Sequence, residues 1–391
     1  MTYHSPGALH IHSVCSDGSG ELAEIAREAR RAGLEWIGMT DHNTLAEAYR
    51  GFEGVHDGVA VVVGYEWTPE GGDHMLVYGE RPALGAAPLD STLPPAEAIR
   101  ILGTHGALTH LAHPDERRGE AIPSLPPYPW RDWSVRGMGG IELWNYMSEW
   151  AERLTPRNRL LHVLLPGTGL QGPTDRVLRW WDELNVPLPP EAPARRARRP
   201  PAPDELPPAR FAGGDRLTVG VSGTDAHAFK VRALGRTLTI FPYRQVFRTF
   251  TNYLRLPGPL PSEIAPARRM ILSAIADGRL HFANRRLGDA RGLDLTASDP
   301  GGRVAGPGEA LPWCPEIELR AASPLPAGLT LLRNGVVVAR GRSSLAVVAG
   351  EPGAYRLEAR RFGEPWAFTN PVVLMPTGDD SRRIPEPGIA S

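Results

Sequence analysis

Short apolar segments alternate with amphipathic ones along most of the chain. Residues 8–13 predict a strand. Residues 21–32 predict a helix, because their apolar positions recur every three to four residues and Gly33 suits a helix end. Further strands are predicted at 36–40, 59–65, 75–78, 107–111, 140–144 and 217–221, and further helices at 95–105 and 262–278. This alternation indicates an α/β fold, built as a barrel or a sheet.

The pattern changes after about residue 285, where apolar and polar residues alternate one by one. Asn334-Gly335 stands between two such runs and predicts a hairpin, because both residues of this turn adopt positive φ. We therefore predict a barrel domain over 1–285 and a C-terminal all-β, sandwich-like domain over 286–391 that ends in a disordered tail.

A segment rich in proline and arginine interrupts the first domain. Residues 186–210 hold nine prolines and five arginines in 25 positions. This composition buries too little apolar surface to offset the entropy cost of ordering the chain. We predict a flexible insertion over 186–215. It is either a solvated spacer, the commoner outcome, or an arm that binds an anion.

Composition excludes several classes of protein. The chain has 391 residues and a formal net charge of −1, so it lacks the basic excess of a nucleic-acid binder and no stable nucleic-acid complex is expected. Its two cysteines cannot form a disulfide framework. No signal-peptide pattern opens the sequence, and no apolar run approaches the roughly 20 residues that span a bilayer. We expect a cytoplasmic protein without membrane contact, and a homo-oligomer through the β domain remains open.

The first candidate metal ligands follow the first predicted strand. His10 and His12 lie two positions apart, so both side chains point to the same side of the strand. Asp17 follows in a loop rich in glycine and serine. Taken alone, the two histidines could equally be ordinary surface residues.

The other candidate ligands also follow predicted strands, where the βα loops of a barrel converge. They are His42, Glu66, His74, His113, Asp225 and His227. Each alone has an ordinary alternative, such as a turn cap, a solvent-facing strand end or a loop histidine. Together, oxygen and imidazole ligands without thiolates suit Zn²⁺, Mn²⁺ or Fe²⁺. Asp41 could orient a ligating histidine or cap a turn, and His110, on the other strand face, is expected to be structural.

The order of these motifs resembles the polymerase and histidinol phosphatase (PHP) family of metal-dependent phosphoesterases. The motifs are His10-x-His12, Asp17, Thr40-Asp41-His42, Glu66, His74, His113 and Asp225-x-His227. The resemblance covers roughly residues 8–285 and implies a distorted (βα)₇ TIM-like barrel with two or three divalent ions in its mouth. The segment Pro365–Pro371 also resembles the tail of a carbaryl-hydrolase-like branch of that family.

The resemblance further implies how the ligands would divide among the ions. One ion would be held by His10, His12, Glu66 and Asp225. A second would be held by His74 and His113, with Glu66 bridging the two ions. A third would be held by Asp17, His42 and His227.

The charge of such a site favours an anionic substrate. Six neutral histidines and three carboxylates carry about −3, so two or three divalent ions leave a net positive site. We expect a metal-dependent phosphoesterase that cleaves a small phosphate ester with a metal-bound hydroxide, with catalytic roles for Asp41, Glu66 and His227. An amide, ester or carbamate hydrolase with the same ions, and a non-catalytic binding module stabilised by metal, are the alternatives.

Overall fold

A computed structural model describes residues 2–118, 126–158, 162, 167, 170–189, 210–233 and 235–377. These residues form a mixed α/β structure. Its helices are α1 (Leu22–Ala32), α2 (Ala46–Tyr49), α3 (Arg81–Leu84), α4 (Pro95–Thr104), α5 (Tyr146–Arg153), α6 (Asp175–Leu184), α7 (Tyr243–Phe247) and α8 (Ile264–Ala276). None of these described helices combines the length and the hydropathy needed to cross a bilayer.

The strands fall into two groups along the chain. The first group is β1 (Tyr3–Ile11), β2 (Trp36–Met39), β3 (Gly54–His56), β4 (Val59–Val63), β5 (Tyr65–Trp67), β6 (Met75–Tyr78), β7 (Leu108–Leu111), β8 (Gly140–Asn145), β9 (Val219–Ala226), β10 (Phe229–Ala233), β11 (Arg236–Ile240), β12 (Phe250–Leu256) and β13 (Leu280–Asn284). The second group is β14 (Asp294–Ser298), β15 (Val304–Ala305), β16 (Ala310–Pro312), β17 (Glu318–Ala322), β18 (Gly328–Arg333), β19 (Val336–Arg342), β20 (Ser344–Val348), β21 (Gly353–Arg361), β22 (Glu364–Thr369) and β23 (Val372–Met375).

Strand β1 connects the main parts of the sheet. Its first residues pair antiparallel with β12, Gly7 and Ala8 pair in parallel with β2, and Leu9 and Ile11 pair in parallel with β9. The strand begins earlier than its apolar pattern predicted, because Pro6 and Gly7 interrupt that pattern. Gly7 is required here, since a Cβ at this position would overlap the buried Trp36 ring.

Parallel and antiparallel ladders share the large sheet. Parallel pairing joins β4, β2, β1, β9, β8 and β7 in that order, and antiparallel pairing then adds β6 and β5. The (βα)₇ TIM-like barrel predicted from the sequence is therefore not confirmed: two of its ladders run antiparallel, and β1 leaves the parallel order to pair with β12. The α/β class itself is correct.

The sheet continues into the C-terminal, strand-rich part of the chain. Strands β12, β13, β22 and β21 pair antiparallel in succession. One apolar core includes Tyr253 from β12 together with Leu357 and Trp366. Because this sheet and this core cross residue 285, the division into domains 1–285 and 286–391 stays a prediction. Self-association through the β domain also stays a prediction.

The Asn-Gly hairpin is confirmed. Strands β18 and β19 pair antiparallel, and between them Asn334 has φ 47° and Gly335 has φ 81°. Of the insertion predicted over 186–215, residues 186–189 and 210–215 are described, and Leu188 donates its N–H to the carbonyl of Arg210 at 2.8 Å. The rest of that insertion and the predicted disordered tail after 377 lie outside the described residues.

Two buried polar contacts connect the C-terminal, strand-rich part of the chain to β9 and α6. The side chain of Asn370 accepts the N–H of Gly220 on β9 at 2.7 Å and donates to its carbonyl at 2.9 Å. The guanidinium of Arg356 on β21 binds both oxygens of Asp182 on α6, at 2.6 and 2.7 Å. The first contact holds β9, which carries the candidate ligand Asp225 and is directly followed by His227, against the C-terminal strands.

We expect Asn370→Ala to destabilise the protein by about 2–4 kcal/mol, because both buried backbone groups of Gly220 would lose their partner. Urea denaturation measures the change. Thr104→Ala, an exposed substitution on α4, should stay within about 0.5 kcal/mol of the parent. Equal stability of the two variants would show that Asn370 does not stabilise the contact between β9 and the C-terminal strands.

Candidate metal centre

The structure brings all nine predicted metal ligands to one end of the sheet. His10 lies near the end of β1 and His12 directly after it, and Glu66 is the middle residue of β5. His42 forms an isolated bridge with Glu66, which places the turn after β2 beside β5. The remaining five stand close to β6, β7 or β9, or in the loop after β1; they are Asp17, His74, His113, Asp225 and His227.

Glu66 is the centre of this cluster. Its carboxylate is 1% exposed, and its two oxygens face different histidines. Oε2 lies 3.3 Å from Nε2 of both His10 and His12 and 3.1 Å from Nδ1 of His42. Oε1 lies 2.9 Å from Nδ1 of His74 and 3.4 Å from Nε2 of His113. A carboxylate with this arrangement can bridge two cations.

Two other carboxylates complete the cluster on either side of Glu66. Asp225 Oδ1 lies 3.4 Å from Nε2 of His10 and 3.5 Å from Nε2 of His12. Asp17 lies nearer the solvent, and its oxygens are 3.2 Å from Nε2 of His227 and 3.6 Å from Nε2 of His42.

Among the nine candidate ligands, four sets of side chains offer ligand atoms close enough together to hold an ion. The sets are His12, Asp17, His42 and His227; His10, His12 and Glu66; His10, His113 and Asp225; and Glu66, His74 and His113. Two of these sets agree with the division that the family resemblance implied: Glu66, His74 and His113 form one, and Asp17, His42 and His227, joined by His12, form the other. Asp225 is grouped with His10 and His113 and not with His12 and Glu66. The structure thus brings the predicted ligands together, while their role in holding metal stays a prediction.

Unsatisfied nitrogen atoms show that the residues fit metal ions. Both ring nitrogens of His12, Nε2 of His74 and Nδ1 of His113 are buried without a hydrogen-bond partner. Buried polar atoms are normally paired, so such a concentration of unpaired ones requires an explanation. Divalent cations would give these imidazole nitrogens and the nearby carboxylates a common partner.

The backbone is strained where the ligands stand. His10 has φ 64°, His113 has φ 30° and Asp225 has φ 51°. Residues other than glycine rarely adopt positive φ, and each such residue costs of order 1–3 kcal/mol. The surrounding structure holds these three side chains in position against that cost.

The charges of the cluster shift its pKa values strongly. Burial opposes the charged form of His10, but Asp225, Glu142 and Glu66 outweigh it and hold the pKa of His10 well above its usual range. Burial likewise opposes the charge on His113, yet its acidic neighbours raise the pKa of that histidine to about 9. Burial would raise the pKa of Glu66, but His10 and His74 hold it well below the usual range.

Glu142 is the important residue that sequence reasoning missed. It is buried on β8, and its Oε1 lies 2.9 Å from Nδ1 of His10. Its Oε2 accepts the N–H of His113 and the side-chain amide of Asn145, both at 2.8 Å. The only signal in the sequence was one carboxylate within an otherwise apolar strand. Glu142 thus orients His10 and supports the strained backbone of His113.

Of the two roles predicted for Asp41, its contacts fit the cap of a turn and not the orientation of a histidine. Its oxygens accept the N–H and the hydroxyl of Ser13, both at 2.8 Å, and the hydroxyl of Ser16. The reason is local: the chain turns back after His12, and Asp41 supplies acceptors to that turn. Asp41 therefore orders the loop that carries Asp17. His110 lies apart from the cluster, packed against Gly140, in agreement with its expected structural role.

A cavity of about 340 Å³ opens over the cluster. Its described lining residues include candidate ligands, the pair Glu116 and Arg118, and a group of apolar side chains. The apolar residues are Tyr128, Met147, Trp150, Ala151, Phe229, Ile240 and Phe241. Its volume lies within the range of small-molecule sites, which is about 300–1,000 Å³.

Comparison with known proteins gives limited likenesses. No protein-family model matches the chain. An error-prone DNA polymerase from Symbiobacterium thermophilum is 32% identical over 119 residues, which are 29% of this chain and 11% of that protein. The chain therefore spans about a tenth of that polymerase's length.

Solved structures similar to this chain include PHP-like proteins. A two-domain protein from Bacteroides vulgatus, described as containing a predicted PHP-like metal-dependent phosphoesterase, is 12% identical with a TM-score of 0.39 and 95% coverage of both chains. An amidohydrolase from Chromobacterium violaceum is 14% identical with a TM-score of 0.28, covering 61% of this chain and 92% of that one. The first of these two neighbours is itself described as PHP-like, the resemblance that the motifs indicate. The carbaryl-hydrolase-like branch stays a prediction.

We expect Glu142→Gln to weaken zinc binding about 10- to 100-fold, because the amide cannot accept the His10 N–H with the strength of a carboxylate. Competition with a chelating dye measures the affinity without any need for activity. Glu97→Gln, on the exposed side of α4, is the matched control. Unchanged affinity in Glu142→Gln would show that Glu142 does not position His10.

The raised histidine pKa values predict how pH affects protein stripped of metal. A histidine with a raised pKa stabilises the fold below about 6.5, and this contribution is lost as pH rises toward about 9. The free energy of unfolding of the stripped protein should therefore fall by at least about 1 kcal/mol between pH 6.5 and 9. Saturating zinc should remove that loss. Stability that stays level or rises over this interval without metal would contradict the charge balance described above.

Proposed function

We propose that this protein is a hydrolase dependent on divalent metal ions and that it cleaves small phosphate esters. One observation carries the proposal: Glu66 presents each of its oxygens to a different group of imidazoles beneath an open cavity. A structural metal site has no need of a bridging carboxylate or of access to a cavity. A site that holds two or three ions for hydrolysis needs both.

Some residues of the cluster would hold the ions, and others fix the positions of those ligands. His10, His12 and Glu66 would hold one ion together with Asp225, whose Oδ1 lies 3.4 Å from Nε2 of His10. Glu66, His74 and His113 would hold a second ion, and Asp17, His42 and His227 a third. When bound, divalent ions of this kind polarise phosphoryl oxygens and lower the pKa of a coordinated water. Zinc, manganese and iron all accept this ligand set.

The chain's own side chains account for positioning. Glu142 fixes the ring of His10, and Asp41 orders the loop that carries Asp17. His227 lines the cavity, with its Nδ1 bonded to the carbonyl of Asp225 at 2.9 Å, so Nε2 faces Asp17. In the overall reaction a water oxygen bonds to phosphorus, the bond to the ester oxygen breaks, and the alcohol leaves with a proton.

Hydrolysis of a carboxylic ester or a carbamate is the second candidate. Arg118 is the one arginine or lysine among the described lining residues of the cavity, and its guanidinium lies 2.7 Å from Glu116. Because this pair is already neutral, charge attraction for a phosphate would come from the ions alone. A neutral ester does not depend on charge attraction for binding, so a neutral Glu116–Arg118 pair would weaken its binding less than that of a phosphate ester.

Metal-loaded protein should turn over p-nitrophenyl phosphate faster than 1-naphthyl methylcarbamate, and a chelator should abolish the activity. Glu66→Gln should lower kcat/KM by at least about a hundredfold, because two ions lose a shared ligand. Glu97→Gln should keep the parent activity. Turnover of the carbamate alone would replace the proposed substrate class. Metal binding without turnover of either compound would favour a non-catalytic binding module.

A further inference from the structure

The apolar wall of the cavity beside the metal cluster carries information about the substrate that the ligands do not. We propose that the organic part of the substrate is an aromatic or similarly flat apolar group that binds against this wall. The wall, called the aromatic wall below, consists of Tyr128, Met147, Trp150, Phe229, Ile240 and Phe241. The inference rests on the proposed hydrolase function and specifies its substrate.

Two rings of the aromatic wall lie directly against candidate ligands. The Tyr128 ring stacks on His74 with 5.0 Å between centroids and 20° between planes. The Phe229 ring stacks on His227 with 5.0 Å and 12°. His74 faces one oxygen of Glu66, whereas His227 lies beside Asp17. An ester bound at the cluster would therefore have an aromatic surface within reach on either side.

The deeper part of the wall is held in a fixed arrangement. The rings of Trp150 and Phe241 meet edge to face with 4.5 Å between centroids, and both residues are buried. The Trp150 N–H is satisfied by the carbonyl of His162 at 3.0 Å, so the ring itself needs no polar partner. A preformed apolar slot of this kind binds a flat group without the cost of ordering side chains.

Backbone strain at Phe241 points to the same conclusion. Phe241 has φ 56°, a conformation that is a true outlier for a bulky residue. Its ring is nevertheless held in place by edge contacts with Trp150 and Tyr146. A strained residue whose ring lines a cavity beside candidate ligands indicates a functional position.

The charges of the cavity argue against a second anionic group at its apolar end. Arg118 pairs with Glu116, which also accepts the Ser148 hydroxyl at 2.8 Å and the Tyr128 N–H at 2.6 Å. Glu116 and Arg118 therefore already satisfy each other's charge. A charged substituent pressed against the aromatic wall would lose its hydration without gaining a partner, whereas an apolar one would gain by leaving water.

Binding of unreactive probes tests the aromatic wall apart from catalysis. Calorimetry on manganese-loaded protein compares phenylphosphonate with methylphosphonate and benzohydroxamate with acetohydroxamate, two pairs with different metal-binding groups. In each pair whose metal-binding group binds, the phenyl member should bind at least about tenfold more tightly. This preference should fall several-fold in Phe229→Ala and in Trp150→Leu. Phe362→Ala, which removes an exposed ring of the C-terminal strands, should keep it.

The outcomes separate this inference from the proposed function. If phenyl and methyl members bind equally, or if no probe binds, the aromatic wall is not a substrate site. A phenyl preference unchanged in both Phe229→Ala and Trp150→Leu would place the phenyl group elsewhere and overturn the inference. If the preference appears with hydroxamates alone, the aromatic wall is supported and the phosphate assignment fails. Phe229 is partly exposed, so its variant keeps the test decisive even if Trp150→Leu folds poorly.

Discussion

The buried carboxylate of Glu66, surrounded by five imidazoles, is the interaction on which the rest of the site depends. A carboxylate removed from water is costly unless charges or hydrogen bonds replace its hydration. Here its oxygens lie 2.9–3.4 Å from five histidines that come from four different segments of the chain. Burial of the Glu66 carboxylate is therefore favourable only when the fold brings β1, β2, β5, β6 and β7 together.

Much of the surrounding structure can be understood as support for that arrangement. Positive φ is unfavourable at His10, His113 and Asp225. The hydrogen bonds of Glu142 and the pairing of β1 with β9 offset the free-energy cost of that conformation. Asn370 then binds β9 to the C-terminal strands. The strand-rich part of the chain thus has a physical link to the site, although it contributes none of the nine candidate ligands.

The sequence predicted which side chains lie together in the cluster because their signal is local. Two histidines two positions apart at a strand end face one way, and Asp225-x-His227 repeats that spacing. Glu142 could not be found in this manner, since its partner His10 lies 132 positions away. The sequence left two roles open for Asp41 for a related reason: the turn after His12 determines which donors reach its carboxylate. The barrel prediction followed strand and helix alternation, which does not reveal strand direction.

The most direct test of the account is anomalous X-ray scattering from a crystal grown with zinc. The account predicts two or three zinc peaks above the cluster, with Glu66 bridging two of them and imidazole nitrogens at about 2.0–2.1 Å from the metal. A single peak away from Glu66, or no peak within reach of His10, His12 and His113, would contradict it.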